Sequence, residues 1–155
     1  MKYSSLYLNF TGHICPPPIT QTQSTVITSK TQAEAKRRID KESIEKSGTL
    51  DLSGLKDLEQ LPADIKKLKH LTSVNLSQTK IKTLKPIENL RKLQKVICNN
   101  TNISDLTPLS QLKNLEHLIC YSTKITDLTA LGELPSLRIL DIAVTEITDL
   151  TPIAT

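Results

Sequence analysis

The sequence predicts an α/β solenoid: short parallel strands stacked into a concave sheet, turns or short helices on the convex side, and one helix ahead of the stack. Three observations predict it. Leu71, Leu93, Leu115 and Leu137 begin four units, each 22 residues after the last, and apolar residues recur at matched places within them. Apolar residues make up 37% of the chain but aromatics only 3%, with one Phe and no Trp, so the core is aliphatic. Such a core suits a thin, repetitive stack better than one deep globule. Residues 1–30, finally, differ in composition from everything that follows.

Taken in order, residues 1–30 are rich in Ser, Thr and Pro, as in Cys15-Pro16-Pro17-Pro18 and Thr20-Gln21-Thr22-Gln23-Ser24-Thr25. With little to bury, this segment is expected to be disordered or extended. Residues 31–47 are expected to form a capping helix. Thr31-Gln32-Ala33-Glu34 fits a capping box, and Gly48 stands where helices commonly stop. Ala35, Ile39, Ser43 and Ile44 give this helix a thin stripe suited to covering an open end of something else. Residues 48–155 form the repeat domain, about five units with the last incomplete. Its first unit, over 49–70, carries Leu50, Leu52, Leu58, Leu61, Ile65 and Leu68 at slightly longer spacing. The next four align in apolar columns: Val74, Val96, Leu118, Leu140; Leu76, Cys98, Cys120, Ile142; Ile81, Ile103, Ile125, Ile147; and Leu84, Leu106, Leu128, Leu150. On the far side of each unit, Thr107-Pro108 and Thr151-Pro152 place a capping residue before a Pro whose missing amide suits a helix's first position.

The unit reads Leu-x-x-Leu-x-Leu-x-x-Thr-x-Ile-x-x-Leu and resembles the leucine-rich repeat. Ile-Ser-Asp-Leu-Thr-Pro-Leu at 103–109 and Ile-Thr-Asp-Leu-Thr-Pro-Ile at 147–153 resemble, more narrowly, the 22-residue repeats of bacterial internalins and of phosphatase-regulator-type proteins. The resemblance covers about two thirds of the chain. It implies a solenoid that binds a partner, and it does not imply which one. One departure is consistent: Thr79, Thr101, Thr123 and Thr145 stand where the family usually has Asn. A Thr ladder is expected to replace that Asn with fewer hydrogen bonds per unit.

Alternation along the strands sorts the surface. With Val74 and Leu76 inward, three columns face out on the concave side: Thr49, Ser73, Lys95, His117, Ile139; Asp51, Asn75, Ile97, Ile119, Asp141; and Ser53, Ser77, Asn99, Tyr121, Ala143. Their ends are small or polar and their middle is not. The expected partner-binding set is Lys95, Ile97, Asn99, His117, Ile119, Tyr121, Ile139 and Asp141. The competing reading is that β-branched residues simply favour strands.

No catalytic, cofactor or metal site is expected. Cys120 and His117 are three positions apart on a strand, so their side chains leave opposite faces. Cys98 and Cys120 read as buried, reduced thiols, and the three Cys, with Cys15, show no disulfide or zinc spacing. Asp105, Asp127 and Asp149 recur once per repeat, which marks a turn rather than a catalytic pair. With only four Gly there is no phosphate loop. Residues 1–47 carry seven Lys or Arg against four acids and the rest thirteen against twelve, so nucleic acid is a disfavoured partner. RNA binding through Lys36-Arg37-Arg38 and the convex Lys66, Lys67, Lys69, Arg91 and Lys92 is an alternative.

The favoured partner is a protein, held on the concave face without catalysis. The flexible start followed by a capping helix and repeats resembles leucine-rich-repeat effectors delivered by type III secretion. The alternatives are a scaffold of the cell's own cytoplasm and a shortened relative of a longer repeat protein. No stretch is long and apolar enough for a membrane span. A last unit that reaches Thr155 without a polar cap leaves three readings: a marginal stack, self-association there, or, as the favoured one, a shortened relative of a longer repeat protein.

Overall fold

The computed structural model describes residues 21–154. Its strands are three residues long: β1 (Thr49–Asp51), β2 (Ser73–Asn75), β3 (Lys95–Ile97), β4 (His117–Ile119) and β5 (Ile139–Asp141). They form one parallel sheet in the order β1-β2-β3-β4-β5. Each strand is followed by a short 3-10 helix on the convex side: Ala63–Lys67, Lys85–Ile87, Thr107–Leu109, Thr129–Leu131 and Thr151–Ile153. A strand this short cannot hold register by itself. Register comes from the inward residues, since a one-residue slip would turn an apolar column into solvent. The columns are indeed buried through the fourth unit, where Leu118, Cys120, Ile125 and Leu128 have no exposed surface. In the last unit Leu140, Ile142 and Ile147 are only partly buried, and Leu150 is 55% exposed.

Two local devices repeat. Each Thr of the ladder donates its hydroxyl to the carbonyl three residues back: Thr79 to Leu76, Thr101 to Cys98, Thr123 to Cys120 and Thr145 to Ile142, at 2.7–2.8 Å. The Thr thus does the expected work of the Asn, with one side-chain bond per unit. The residue before it turns the chain through the left-handed region: Gln78, Asn100, Ser122 and Val144 have φ of 57°, 55°, 52° and 54°. In the first unit Gly54 takes this place with φ 73°.

The helix differs from its expected bounds. α1 spans Gln21–Glu45, so Thr31 lies within it and the capping-box pattern does not mark its start. Glu34 is instead bonded forward to Arg37 and Arg38. Of the segment expected to be disordered, residues 21–30 are helical and 1–20 lie outside the described residues. Lys46, with φ 50°, takes the left-handed position that ends the helix, and its amide donates to the Glu42 carbonyl. Gly48 comes later, where the chain enters β1 at φ 83° and a Cβ would lie 3.2 Å from Thr72 Oγ1.

The covering stripe also differs. Ala35 and Ile39 are buried, but Ser43 is exposed and Ile44 is 82% exposed. Position 42 lies on the buried face instead, and it holds a carboxylate that is 4% exposed. Glu42 Oε1 accepts the Gly48 amide and lies 2.8 Å from His70 Nε2, while Oε2 accepts the Ser47 hydroxyl. Burial pushes the Glu42 carboxyl up, but these three bonds outweigh it and hold the group below its ordinary range. The helix is therefore latched to the first repeat by a satisfied buried charge as well as by apolar packing.

Candidate partner-binding face

The strand pairing places the concave columns as the alternation requires. Thr49, Ser73, Lys95, His117 and Ile139 are register partners across the five strands, and so are Asp51, Asn75, Ile97, Ile119 and Asp141. Lys95, Ile97, His117, Ile119 and Tyr121 are half-buried, whereas Ile139 is 48% exposed. These side chains stand side by side on adjacent strands, which lie roughly 4.8 Å apart in any sheet.

The second column carries a signal that sequence reading missed. Asp51 Oδ1 accepts the Ser53 amide, Asn75 Oδ1 the Ser77 amide and Asp141 Oδ1 the Ala143 amide. These are turns in which a side chain caps the end of its own strand. Ile97 and Ile119 occupy the same position in the third and fourth repeats and have no group that can make this bond. At those two places the chain forgoes a turn-making residue in favour of apolar surface, which β-propensity alone does not require.

The third column is less available than alternation implied. Ser77 and Asn99 are buried at 8% and 7%, and Ser77 Oγ lies 2.5 Å from Asn75 Oδ1 and 2.9 Å from Asn99 Oδ1. Of the expected binding set, Asn99 is thus held inside a hydrogen-bonded row between repeats. Asp141 is partly engaged through its bond to Ala143.

The chemical alternatives separate in space. Cys98 and Cys120 are fully buried and free of disulfides, while His117 is on the opposite, concave face. The hydrogen bond that the Cys98 thiol donates to Cys120, together with burial, pushes that thiol well up. Asp105, Asp127 and Asp149 each accept the amide two residues on, from Thr107, Thr129 and Thr151. Bonds from Thr129, side chain then backbone, hold Asp127 below the ordinary carboxylate range. These aspartates, and not the threonines expected, cap the convex helices, because the threonine is already the first helical residue. Among the described residues there is no cluster of three or more His, Cys, Asp or Glu able to hold a metal, and no helix long and apolar enough to cross a membrane.

The basic triplet of α1 is largely spent within the fold. Lys36 pairs with Asp40 and Asp64, Arg37 with Glu34, and Arg38 with Glu34 and the Asp51 carbonyl. Bonds from Arg37 and Arg38 hold the Glu34 carboxyl down at about 2. A cleft of about 330 Å³ between α1 and β1 is lined by these same arginines and by Glu42.

Comparison with known proteins agrees with the stack. The family described as Leucine Rich repeats (2 copies) matches residues 91–133 and 113–155. The chain is a leucine-rich-repeat protein. Its repeats are of the internalin-like class, as solved structures indicate. Internalin C2 of Listeria monocytogenes is 30% identical over 69% of this chain and 46% of its own length, with a TM-score of 0.66. Internalin F of the same organism is 30% identical over 68% of this chain and 30% of its own, at 0.60. A leucine-rich-repeat protein of Leptospira interrogans is 28% identical over 61% of this chain and 25% of its own, at 0.57. This leucine-rich-repeat chain therefore spans less than half the length of the internalins it matches. Comparison with curated protein sequences finds no match. Leucine-rich-repeat domains typically mediate protein–protein interaction and are generally binding modules rather than enzymes.

Proposed function

We propose that this protein binds a partner protein on its concave face, through Ile97, Ile119, Tyr121 and Ile139, with Lys95, His117 and Asp141 around them. The observation that carries this reading is the pair Ile97 and Ile119, apolar where the flanking repeats keep Asp51, Asn75 and Asp141 as turn-makers. An apolar centre with a polar surround is the usual anatomy of an interface, and a few central residues carry most of its energy. Asn99 serves this face by fixing the row beneath it rather than by touching the partner.

The test is a pull-down from bacterial and eukaryotic lysates, comparing the native chain with Ile97→Asp/Ile119→Asp/Tyr121→Ala after its melt is shown to be intact. Central interface residues each cost upwards of ~1 kcal/mol on truncation, so recovery of a partner is expected to fall by well over about tenfold. Equal recovery by both proteins would remove the concave face from the function. We further propose delivery as a bacterial effector. Its support is the Ser/Thr/Pro-rich start of the sequence and the bacterial origin of the similar structures. A reporter fused to residues 1–30 is expected to be exported by a type III-competent strain, and retention inside the cell would sink the effector version.

A further inference from the structure

The repeat domain is almost neutral as a whole, but its charge is sorted across the strands. The segments that lead into β2–β5 and end on each strand's first residue, 66–73, 88–95, 110–117 and 132–139, hold eight Lys or Arg against three acids. The remainder of the units, 49–65, 74–87, 96–109, 118–131 and 140–153, holds five against nine. The basic side is one continuous edge. Lys69 Nζ donates to the Asn89 carbonyl, Asn114 Nδ2 to the Arg91 carbonyl and Lys113 Nζ to the Glu133 carbonyl, each between neighbouring repeats. Lys69, Arg91 and Lys113 recur at 22-residue spacing, two positions ahead of Leu71, Leu93 and Leu115. Lys67 pairs with Asp64 and Lys113 with Glu133, whereas exposed Lys66, Lys69, Arg91 and Lys92 make no ion pair among the described residues. Lys95 and His117, the first residues of β3 and β4, carry this edge onto the concave face beside Ile97 and Ile119.

We propose that the partner is a protein that lays an acidic segment over the strand starts, along Lys69, Arg91, Lys92 and Lys95. This adds a chemistry and a direction to the concave-face binding on which it rests. Charge fixes the direction. A partner with acids on one flank meets Arg91, Lys92 and Lys95 in this orientation; turned round, it meets the side that carries Asp105, Asp127 and Asp141. Because the edge is exposed, its cations steer and orient more than they hold, and salt screens them. The same edge suits nucleic acid poorly. Phosphates would find cations, but bases need aromatic faces to stack on. The one Tyr, Phe or Trp among the described residues is Tyr121, on the strand-end side of the face. A membrane surface is also a poor match, because Leu68, Leu71, Leu90 and Leu93, the apolar neighbours of these cations, are all buried.

The probe is a short fluorescein-labelled peptide, Leu at one end and an oligoglutamate run at the other, titrated with the full chain and followed by anisotropy. The native chain is expected to bind it, more weakly as salt rises. Arg91→Glu/Lys92→Glu is expected to weaken binding about tenfold or more. Lys82→Glu/Lys85→Glu makes the same change in net charge on the strand-end side and is expected to bind as the native chain does. All four side chains are exposed, and circular dichroism melts close to native confirm the folds. Equal losses in the two reversals, no native complex even at low salt, or tighter binding of labelled oligouridylate than of the peptide each overturn the proposal. Ile97→Asn/Ile119→Asn, which copies Asn75, separates it from the reading beneath it. Peptide binding lost on reversal at Arg91 and Lys92 but unchanged in that variant supports the acidic partner and removes the concave centre. Binding weakened in that variant but indifferent to the reversal overturns the acidic partner and leaves the concave centre standing.

Discussion

The first and the last described repeats are built on the same unit and are covered differently. At the first repeat, α1 covers the sheet edge with Ala35 and Ile39 and latches it with Glu42, which bonds Gly48, Ser47 and His70. Among the described residues no element packs on the outer edge of β5, and the columns buried in the interior emerge as partly exposed Leu140, Ile142 and Ile147. In a solenoid each unit is stabilised by its neighbours, so a unit with one neighbour is the weakest. The lesson is that an apolar repeat position has no fixed value; its worth depends on what lies on the next turn.

The sharpest way to break that comparison is to truncate both ends alike. Ile39→Ala, at a side chain 1% exposed, is expected to cost about 2–4 kcal/mol in urea unfolding. Leu150→Ala, at a side chain 55% exposed, is expected to cost less than about 1 kcal/mol. Equal losses would mean that the last repeat is as well supported as the first.

The latch is tested next, by pH. Glu42→Gln removes a charge that holds three partners and is expected to cost roughly 1–3 kcal/mol at neutral pH. Because the folded carboxyl lies below its ordinary 4.5, the stability it contributes is complete above that value. It is lost as pH falls through the folded value. The gap between native and Glu42→Gln, measured by urea midpoints, is therefore expected to narrow as pH drops below about 4.5. A gap constant down to acid-induced unfolding would show that the charge does not matter.

These effects also mark how far the sequence could be read. The 22-residue columns determine which strand faces which, and the alternation Ser73, Val74, Asn75 places the first two concave columns in register without any structure. Apolar periodicity is a strong signal because register slips are penalised in every unit at once. The helix face was legible only in part: Ala35 and Ile39 are apolar, but the third inward position is Glu42, and a buried charge looks like a surface residue until its partners are seen. Those partners, Ser47, Gly48 and His70, come from two elements, and no spacing rule joins them. On the concave face, Asn99 reads as exposed by alternation, yet the row it forms with Ser77 and Asn75 draws it under. The Asx turns at Asp51, Asn75 and Asp141 were readable in principle, as Asp or Asn two residues before an amide at a strand end. It is against them that Ile97 and Ile119 stand out.

The smallest expected effect concerns the turn that every repeat shares. Gln78, Asn100 and Ser122 enter the left-handed region with unbranched side chains, and Gly54 does so with none. Val144 enters it with a β-branched one at φ 54° and is 79% exposed, so no packing offsets the crowding of its second methyl. Left-handed backbone costs an L-residue about 1–2 kcal/mol, and branching at Cβ adds to that where Asn subtracts. Val144→Asn is therefore expected to stabilise the chain by about 0.5–1 kcal/mol in urea unfolding. Asn100→Val, the reverse exchange in an interior repeat, is expected to cost about as much or more. A Val144→Asn variant no more stable than native would mean that the last described repeat relaxes the turn, and that the strain is present only where a neighbouring repeat enforces it.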